Sequence, residues 1–473
     1  MDSWITGEFS SVDLGDVRRD RRLLKVARRM WETPGGSTQG ASKGWAEAIG
    51  AYRLWDGEDV TAQAILAAHH DQVLERAKAH PVLLHIQDTT ELNFTKKKAL
   101  QGKGPLASLE RQGFFAHSEY LLEGDGLPLG LWHSFIYARS AAEHGQSAQR
   151  KELPIEEKES FRWLEGYRRA CELRACSPKQ LVIALADREA DIYELFEAYR
   201  QRWARHEPAA HWIIRCNQDR LLNPQPDGPE RTKIKAAVAA APLLGSMILK
   251  IRAKEQCKKV KGNRHLSMRS ARTAELEIRA CSVELAPPWR PKGRELSPIQ
   301  IWVVQAREIK PPAGEEPIEW ILLTDFKVRT LQKALQILKL YSLRWQIEVF
   351  HKILKSGCRV EDSQLKTAER LLPRLALQMI VAWRIHYVTL LGRACPDLPC
   401  GAVFEEWEWK PVVVIFRGKE YQDQEPSLAQ MNAWVGQLGG HLGRKRDGPP
   451  GPQTMWKGMA QVFDYAILWR ALH

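Results

Sequence analysis

The sequence predicts an α/β protein, with a mixed strand-and-helix core between helical segments at either end. Three observations carry this expectation. Two short apolar runs, VLLHIQD from Val82 and LVIALAD from Leu181, are rich in Val, Ile and Leu and read as buried strands. A stretch without Gly or Pro, YSLRWQIEVFHKILK from Tyr341, has the residue mix of a helix. The chain of 473 residues is too long for one simple core and predicts two or three domains, while 44% apolar residues permit ordinary globular interiors.

In chain order, residues 1 to about 75 read as helical. They carry a dense basic cluster, Arg18, Arg19, Arg21, Arg22, Lys25, Arg28 and Arg29, distributed around the helix, with Leu14, Leu23, Leu24, Val26 and Ala27 for apolar contacts. GGSTQGASKG from Gly35 is a loop before a second helix. A middle region follows, over about 76–395. Its first strand ends at Asp88 and leads into a basic loop, Lys96, Lys97 and Lys98. HSEYLLEGDGLPLGLWHSFIYAR from His117 reads as a hairpin turning at Gly124–Gly126. A charged helical stretch precedes the second buried strand, which ends at Asp187. Between Asp187 and Glu348, Pro-rich loops (NPQPDGPE, APPWRPKGRELSP) separate alternating segments such as TAELEIRA. Lys254, Lys258, Lys259, Lys261 and Arg264 make this span basic, as a solvated edge or a surface for a polyanion. After about 396, Trp407, Trp409, Trp434, Trp456 and Trp469 read mostly as core residues. Arg444, Lys445 and Arg446 form a basic loop, solvated or set against phosphate.

Composition narrows the function classes. A net charge of +13 and a pI near 9.3 favour a polyanionic partner. The eight cysteines are scattered without His or Cys neighbours at zinc-site spacing, which predicts reduced thiols in a cytoplasmic protein. No run has the length and purity expected of a membrane span, and MDSWITGEF does not read as a signal peptide. The absence of a GxxxxGK[ST] loop argues against an ATP-driven engine.

Tyr341, Arg344, Glu348 and Lys355 stand at offsets 0, 3, 7 and 14. At about 100° per residue they fall within roughly 60° of one helix face. His351 and Lys352 flank that stripe. One acid among several bases suits a site that holds a cation and a phosphate together, the carboxylate on the cation and the bases on the anionic oxygens. A solvated face with ordinary ion pairs is the plainer alternative. Asp88 and Asp187 would each be held rigidly at the end of a buried strand, although an Asp there also caps turns. Two such acids together with the Glu348 stripe favour the cation-and-phosphate site.

These residues carry a resemblance. The chain resembles bacterial DDE transposases of the insertion-sequence-four family, the group that includes the transposon-five transposase. The family signature Tyr-x2-Arg-x3-Glu-x6-Lys stands complete at Tyr341, Arg344, Glu348 and Lys355. ADREADIYE from Ala186 and IQDTTELNF from Ile86 resemble the segments around its catalytic Asp residues. WILLT from Trp320 precedes Tyr341 at the family distance. LGDVRRDRRLLKVA and GAYRL resemble its amino-terminal domain, and LGGHLGRKRDGPPGPQTMWKG from Leu438 its carboxy-terminal pattern, so the likeness spans about 13–458.

The resemblance implies a helical domain over 1–75 that recognises transposon-end DNA. It implies a ribonuclease H-like catalytic domain over 76–395, with a β-rich insertion at about 217–318, and a helical domain over 396–473 for dimer and DNA contacts. Asp88, Asp187 and Glu348 would be the catalytic carboxylates and would hold Mg²⁺, with Mn²⁺ as a substitute; oxygen donors suit those ions. Tyr341, Arg344 and Lys355 would grip phosphate, Trp320 would stack on a displaced base, and Arg215 in WIIRC would be another DNA contact. The implied partners are double-stranded DNA, as transposon ends and target, and a second copy of the chain, in a bacterial cytoplasm at the nucleoid. A catalytically silent DNA-binding relative and a structure-selective nuclease are the alternative readings.

Overall fold

The computed structural model describes residues 3–140, 153–224, 232–260, 263–288, 296–418, 424–444 and 446–472. The chain divides into two compact units, one formed by 1–146 with 345–473 and the other by 147–344.

The first unit opens with five helices: α1 (Ser3–Glu8), α2 (Val17–Glu32), α3 (Thr38–Ala41), α4 (Trp45–Trp55) and α5 (Ala62–Ala77). Asp16 caps α2 by accepting from the Arg18 N–H, and Thr61 caps α5 by accepting from the Ala64 N–H. Leu23, Ala27, Met30 and Trp31 form the buried face of α2. Four strands follow: β1 (Val82–Asn93), β2 (Gly104–Pro105), β3 (Gln112–Glu123) and β4 (Pro128–Tyr137). β3 lies antiparallel between β1 and β4, and the β3–β4 hairpin turns where the sequence places it, with the Gly126 N–H on the Glu123 carbonyl. Gly130 in β4 has φ +150, and a Cβ there would lie 2.2 Å from Val73 Cγ2 and 2.7 Å from His69 Nε2, so only glycine lets α5 approach this closely.

The second unit contains α6 (Phe161–Cys176), β5 (Leu181–Ala186), α7 (Tyr193–Ala204), β6 (His211–Arg215), α8 (Ile234–Ala240), β7 (Leu243–Ile251), β8 (Lys254–Val260), β9 (Asn263–Arg269), β10 (Arg272–Leu285), β11 (Ile299–Glu308), β12 (Glu319–Thr324) and α9 (Leu331–Ser342). β5 and β6 are parallel, joined through α7. From β6 the sheet continues antiparallel through β12, β11 and β10 to β7. β8 and β9 pair as a separate hairpin. The span 217–318 is thus rich in strands. In the basic cluster expected there, Lys261 and the side chains of Lys254, Lys258, Lys259 and Arg264 lie outside the described residues, as do most of the two Pro-rich loops.

The chain returns to the first unit with α10 (Trp345–Lys352), α11 (Ala368–Ala394), α12 (Glu406–Arg417), α13 (Leu428–Leu438) and α14 (Pro452–Leu472). α11 is its central helix. By length and apolar composition α11 could cross a membrane, contrary to the sequence expectation, but 89% of its most apolar window is buried inside this protein. It packs against α2, α4, α5 and β4, and the Trp383 indole N–H donates to the Pro128 carbonyl. The boundary expected at residue 75 falls within the last turn of α5.

Two expectations need correction. The stretch from Tyr341 to Lys355 is not one helix. After α9 the Leu343 N–H bonds the Leu340 carbonyl and the Arg344 N–H bonds the Tyr341 carbonyl, a tightened i→i+3 pattern that ends the α-helix. Beyond α10, Ile353–Gly357 form a π turn closed by the Cys358 N–H on the Ile353 carbonyl. The common face computed at 3.6 residues per turn therefore does not persist over all four residues. Gly357 sits where α14 presses closest, since a Cβ would meet the Trp456 ring at 3.1 Å. The carboxy-terminal tryptophans are also not mostly core. Only Trp409 is buried; Trp407, Trp434, Trp456 and Trp469 are half-buried. Arg28 and Arg470 lie over the Trp407 ring, so it serves as a platform for cations.

Candidate active site and nucleic-acid interface

In the first unit the residues gather around β1. Asp88 is half-buried and lies within β1, not at its end, because pairing with β3 continues through Asn93. It stands opposite Ser118 in the ladder and accepts the Thr89 N–H at 2.9 Å. α10 packs on β1, and His351 Nε2 lies 3.2 Å from the Ser118 hydroxyl. Glu348 is three residues before His351, on the side of α10 that meets Ser118. A second tie holds the other end of α10: Gln346 Oε1 lies 3.1 Å from His386 Nε2, whose Nδ1 meets the Tyr120 hydroxyl at 3.0 Å. Burial, with Arg393 nearby, depresses His386 to about 3, so it works here as a neutral hydrogen-bonding ring.

Lys355, on the π turn, is half-buried. Burial pulls its ammonium below the usual lysine value, and Glu361, Glu91 and Asp88 oppose that pull while Arg111 adds to it. Asp88, Glu348 and Lys355 thus belong to the same unit, and the Asp88 carboxylate acts on the Lys355 ammonium. Lys352 is exposed.

The second unit holds the rest. Asp187 follows β5 directly and accepts the Glu189 N–H at 2.8 Å, capping a 3₁₀ turn over Arg188–Ala190. The strand-end placement and the turn-capping alternative are thus both realised in one residue. Arg215 ends β6, half-buried; desolvation and Arg188 lower its pKa, with Arg344 acting likewise and Tyr341 and Asp187 in opposition. Tyr341 is buried, which raises its hydroxyl pKa against the pull of Arg344 and Arg215. Trp320, the second residue of β12, is half-buried, not in the core, and meets Tyr341 edge-to-face with centroids 5.5 Å apart. Asp187, Arg215, Trp320, Tyr341 and Arg344 thus form one neighbourhood of acid, cations and aromatic rings. Among the described residues no group of three or more His, Cys, Asp or Glu side chains is gathered as a metal site.

The basic cluster of α2 sorts into two sets. Arg19 pairs with Asp59, Arg28 with Glu32, and Arg29 with both Glu32 and Glu47. Arg18, Arg21, Arg22 and Lys25 recur at i, i+3, i+4 and i+7, one stripe within the cluster. No acid among the described residues pairs with Arg21, Arg22 or Lys25. Beside this stripe a cavity of about 290 Å³ is lined by Arg22, Lys25, Met30, Trp55 and Arg374. Of the basic loop near the carboxy terminus, Arg444 pairs with Asp447, and Lys445 lies outside the described residues.

Sequence reasoning missed Ser118, His351 and His386 as supports of α10. It also missed the buried Asp191, whose only signal was its place in ADREADIYE.

Two family models match the chain. Residues 1–60, covering α1 to α4, match the transposase DNA-binding model. Residues 380–468, from within α11 into α14, match the transposase Tn5 dimerisation domain. Transposase-type domains therefore stand at both ends of the chain, and together they support a Tn5-like transposase.

Proposed function

We propose that the chain is a DDE transposase of the insertion-sequence-four type, which cleaves transposon ends and joins the freed 3′-hydroxyls to target DNA. The observation that carries this is the flanking of Asp88, Asp187 and Glu348 by the two transposase matches, with the Tyr-Arg-Glu-Lys signature intact between them. The catalytic region would be a ribonuclease H-like core; the antiparallel β1–β3–β4 set and the parallel β5–α7–β6 unit support that reading. The DNA-binding and dimerisation matches support double-stranded DNA as substrate and a homodimer as the working form. The site of action would be the bacterial cytoplasm, at the nucleoid.

Asp88, Asp187 and Glu348 are half-buried carboxylates and offer oxygen, the donor type that Mg²⁺ and Mn²⁺ take. Two such ions, when bound, lower the pKa of an attacking water or hydroxyl and offset charge on the leaving oxygen. Lys355, Arg344 and Arg215 would hold the scissile strand by its phosphate oxygens. Water attack frees a 3′-hydroxyl, which then attacks a phosphodiester in the target. Each joining exchanges one phosphodiester for another, so no nucleotide triphosphate is consumed.

The test is incubation of the full chain with the DNA that flanks its reading frame and Mg²⁺, resolving nicks, hairpins, double-strand breaks and joined products. Glu348→Ala and Asp88→Ala should still shift end DNA in gels yet lose at least about a hundredfold in cleavage, given the rate that single catalytic groups supply. Metal-dependent cutting by Glu348→Ala would sink the assignment. End binding without any cutting by the unaltered protein would favour the silent relative.

A further inference from the structure

We propose that Asp191 is a positioning residue, whose buried carboxylate clamps the turn bearing Asp187 to the chain that leaves Arg215. This rests on the transposase reading. The side chain of Asp191 is wholly buried and that of Arg220 is 9% exposed, and they meet at 2.7 Å. One carboxylate oxygen accepts the backbone N–H groups of both Asn217 and Gln218, each at 2.8 Å. The other accepts from Arg220 Nε and Nη2, and Nη2 also donates to the Asp191 carbonyl at 2.6 Å.

This one side chain gathers four donors from the segment 217–220. Asp187 lies four residues before it, across a single 3₁₀ turn, so the clamp has little slack on that side. Arg215 lies two residues before Asn217. Between them the Cys216 N–H bonds the Ile321 carbonyl at 2.9 Å, next to Trp320. The turn of Asp187, the end of β6 and the start of β12 are therefore joined through a few short bonds. Asp191 touches no substrate in this scheme. It acts by fixing where the Asp187 carboxylate stands relative to Arg215 and Trp320.

A buried carboxylate that serves four N–H groups from a facing loop cannot be replaced by an amide without loss, because the amide nitrogen presents hydrogens where an acceptor is needed. Misplacement of a catalytic group by about 1 Å costs on the order of a hundredfold in rate. Supports of metal-binding carboxylates typically cost about ten- to a hundredfold in metal affinity or activity when removed.

The experiment compares the full-length protein with Asp191→Asn and the milder Arg220→Lys on end DNA. Asp191→Asn should bind end DNA within about threefold of the unaltered protein, cleave roughly ten- to a hundredfold more slowly, and need more Mn²⁺ for half-maximal cleavage. Arg220→Lys, which keeps the charge but loses the fork, should fall between. Amide hydrogen exchange gives a readout that does not depend on cutting: Asp191→Asn should deprotect 187–192 and 215–221 together while β10 and β11 stay protected. Unchanged exchange in 215–221, or a rate loss that vanishes well below the melting temperature with unchanged Mn²⁺ dependence, overturns the clamp. Joint deprotection in a protein whose unaltered form cuts no DNA would instead overturn the transposase reading and leave the clamp standing as a structural link.

Discussion

If Trp320 stacks on a displaced base, as the resemblance implies, one side chain separates two chemistries. A nick requires a held phosphate and an activated water, with no base displaced. A hairpin at a transposon end requires the strand to turn sharply, which forces a base from the stack at a cost of a few kcal/mol. An aromatic ring recovers about 1–3 kcal/mol by stacking. Trp320 suits that role better than its apolar neighbours, being half-buried while Ile321, Leu322 and Leu323 are core. Its edge-to-face contact with Tyr341 fixes the ring beside Arg344 and Arg215. Trp320→Ala should nick the first strand and then accumulate that product, with hairpin formation slowed roughly ten- to a hundredfold. Trp320→Phe, which keeps a π-face, should recover part of the loss. Time courses on end-labelled DNA, separated under denaturing conditions, report both steps. Nicks and hairpins at unaltered rates would make the ring idle, and joint loss with thermal stability would make it merely structural.

At the scale of elements, the helix carrying Glu348 and the first helix of the chain are held by buried polar contacts. α10 is tied through Gln346 to His386 and Tyr120, and through His351 to Ser118. Tyr120→Phe would strip the partner from the buried His386 Nδ1. It should destabilise the fold by about 1–3 kcal/mol, read from urea unfolding. α1 is tied through Glu8 to His69 and Arg76 on α5. His69 Nε2 accepts the Leu131 N–H, so Nδ1 carries the proton that Glu8 receives and the ring is neutral. Burial alone would raise Glu8, but His69 and Arg76 together hold it below its ordinary 4.5. A carboxyl lowered on folding stabilises the protein above its unfolded value, and that stability is lost as pH falls through the folded one. Glu8 thus contributes stability that is fully present above pH 4.5 and is lost as pH falls through its lower folded value. Glu8→Gln should lower stability at neutral pH and flatten the difference between the two proteins below pH 4.5. A pH-independent difference in urea midpoints would refute the ionic role.

What the sequence disclosed follows the same physics. Asp187 was placed correctly because LVIALA is buried along its length after the first residue, so an apolar run and a strand coincide. Asp88 was placed at a strand end because TTELN is mostly polar, yet those residues keep their ladder pairing with β3. The break after Ser342 left no Gly or Pro to read, since it consists only of a change from i→i+4 to i→i+3 bonding. Asp191 was invisible because its value lies in donors that come from residues 217–220.

For the whole molecule, the amino-terminal helices are not a detachable module. α2 and α4 pack on α11, Trp31 meets Phe463 of α14 edge-to-face, and Arg374 of α11 donates to the Gly36 carbonyl. Removing 1–75 would open the first unit, so deletion cannot separate DNA affinity from folding. Charge substitutions can. Arg21, Arg22 and Lys25 lie on one stripe of α2 and have no acid partners among the described residues, so their loss costs little stability. Arg19, Arg28 and Arg29 are held by Asp59, Glu32 and Glu47. Each phosphate neutralised contributes about 0.9 to the slope of log K against log salt. If the stripe lies on the DNA backbone, alanine at Arg21, Arg22 and Lys25 together should reduce that slope by roughly 2–3, weakening end and random DNA alike. Alanine at Arg28 should leave the slope nearly unchanged while reducing thermal stability through Glu32 and the Trp407 stack. Equal salt slopes for the triple variant and the unaltered protein, measured by fluorescence anisotropy over a range of salt, would remove the stripe from the DNA interface.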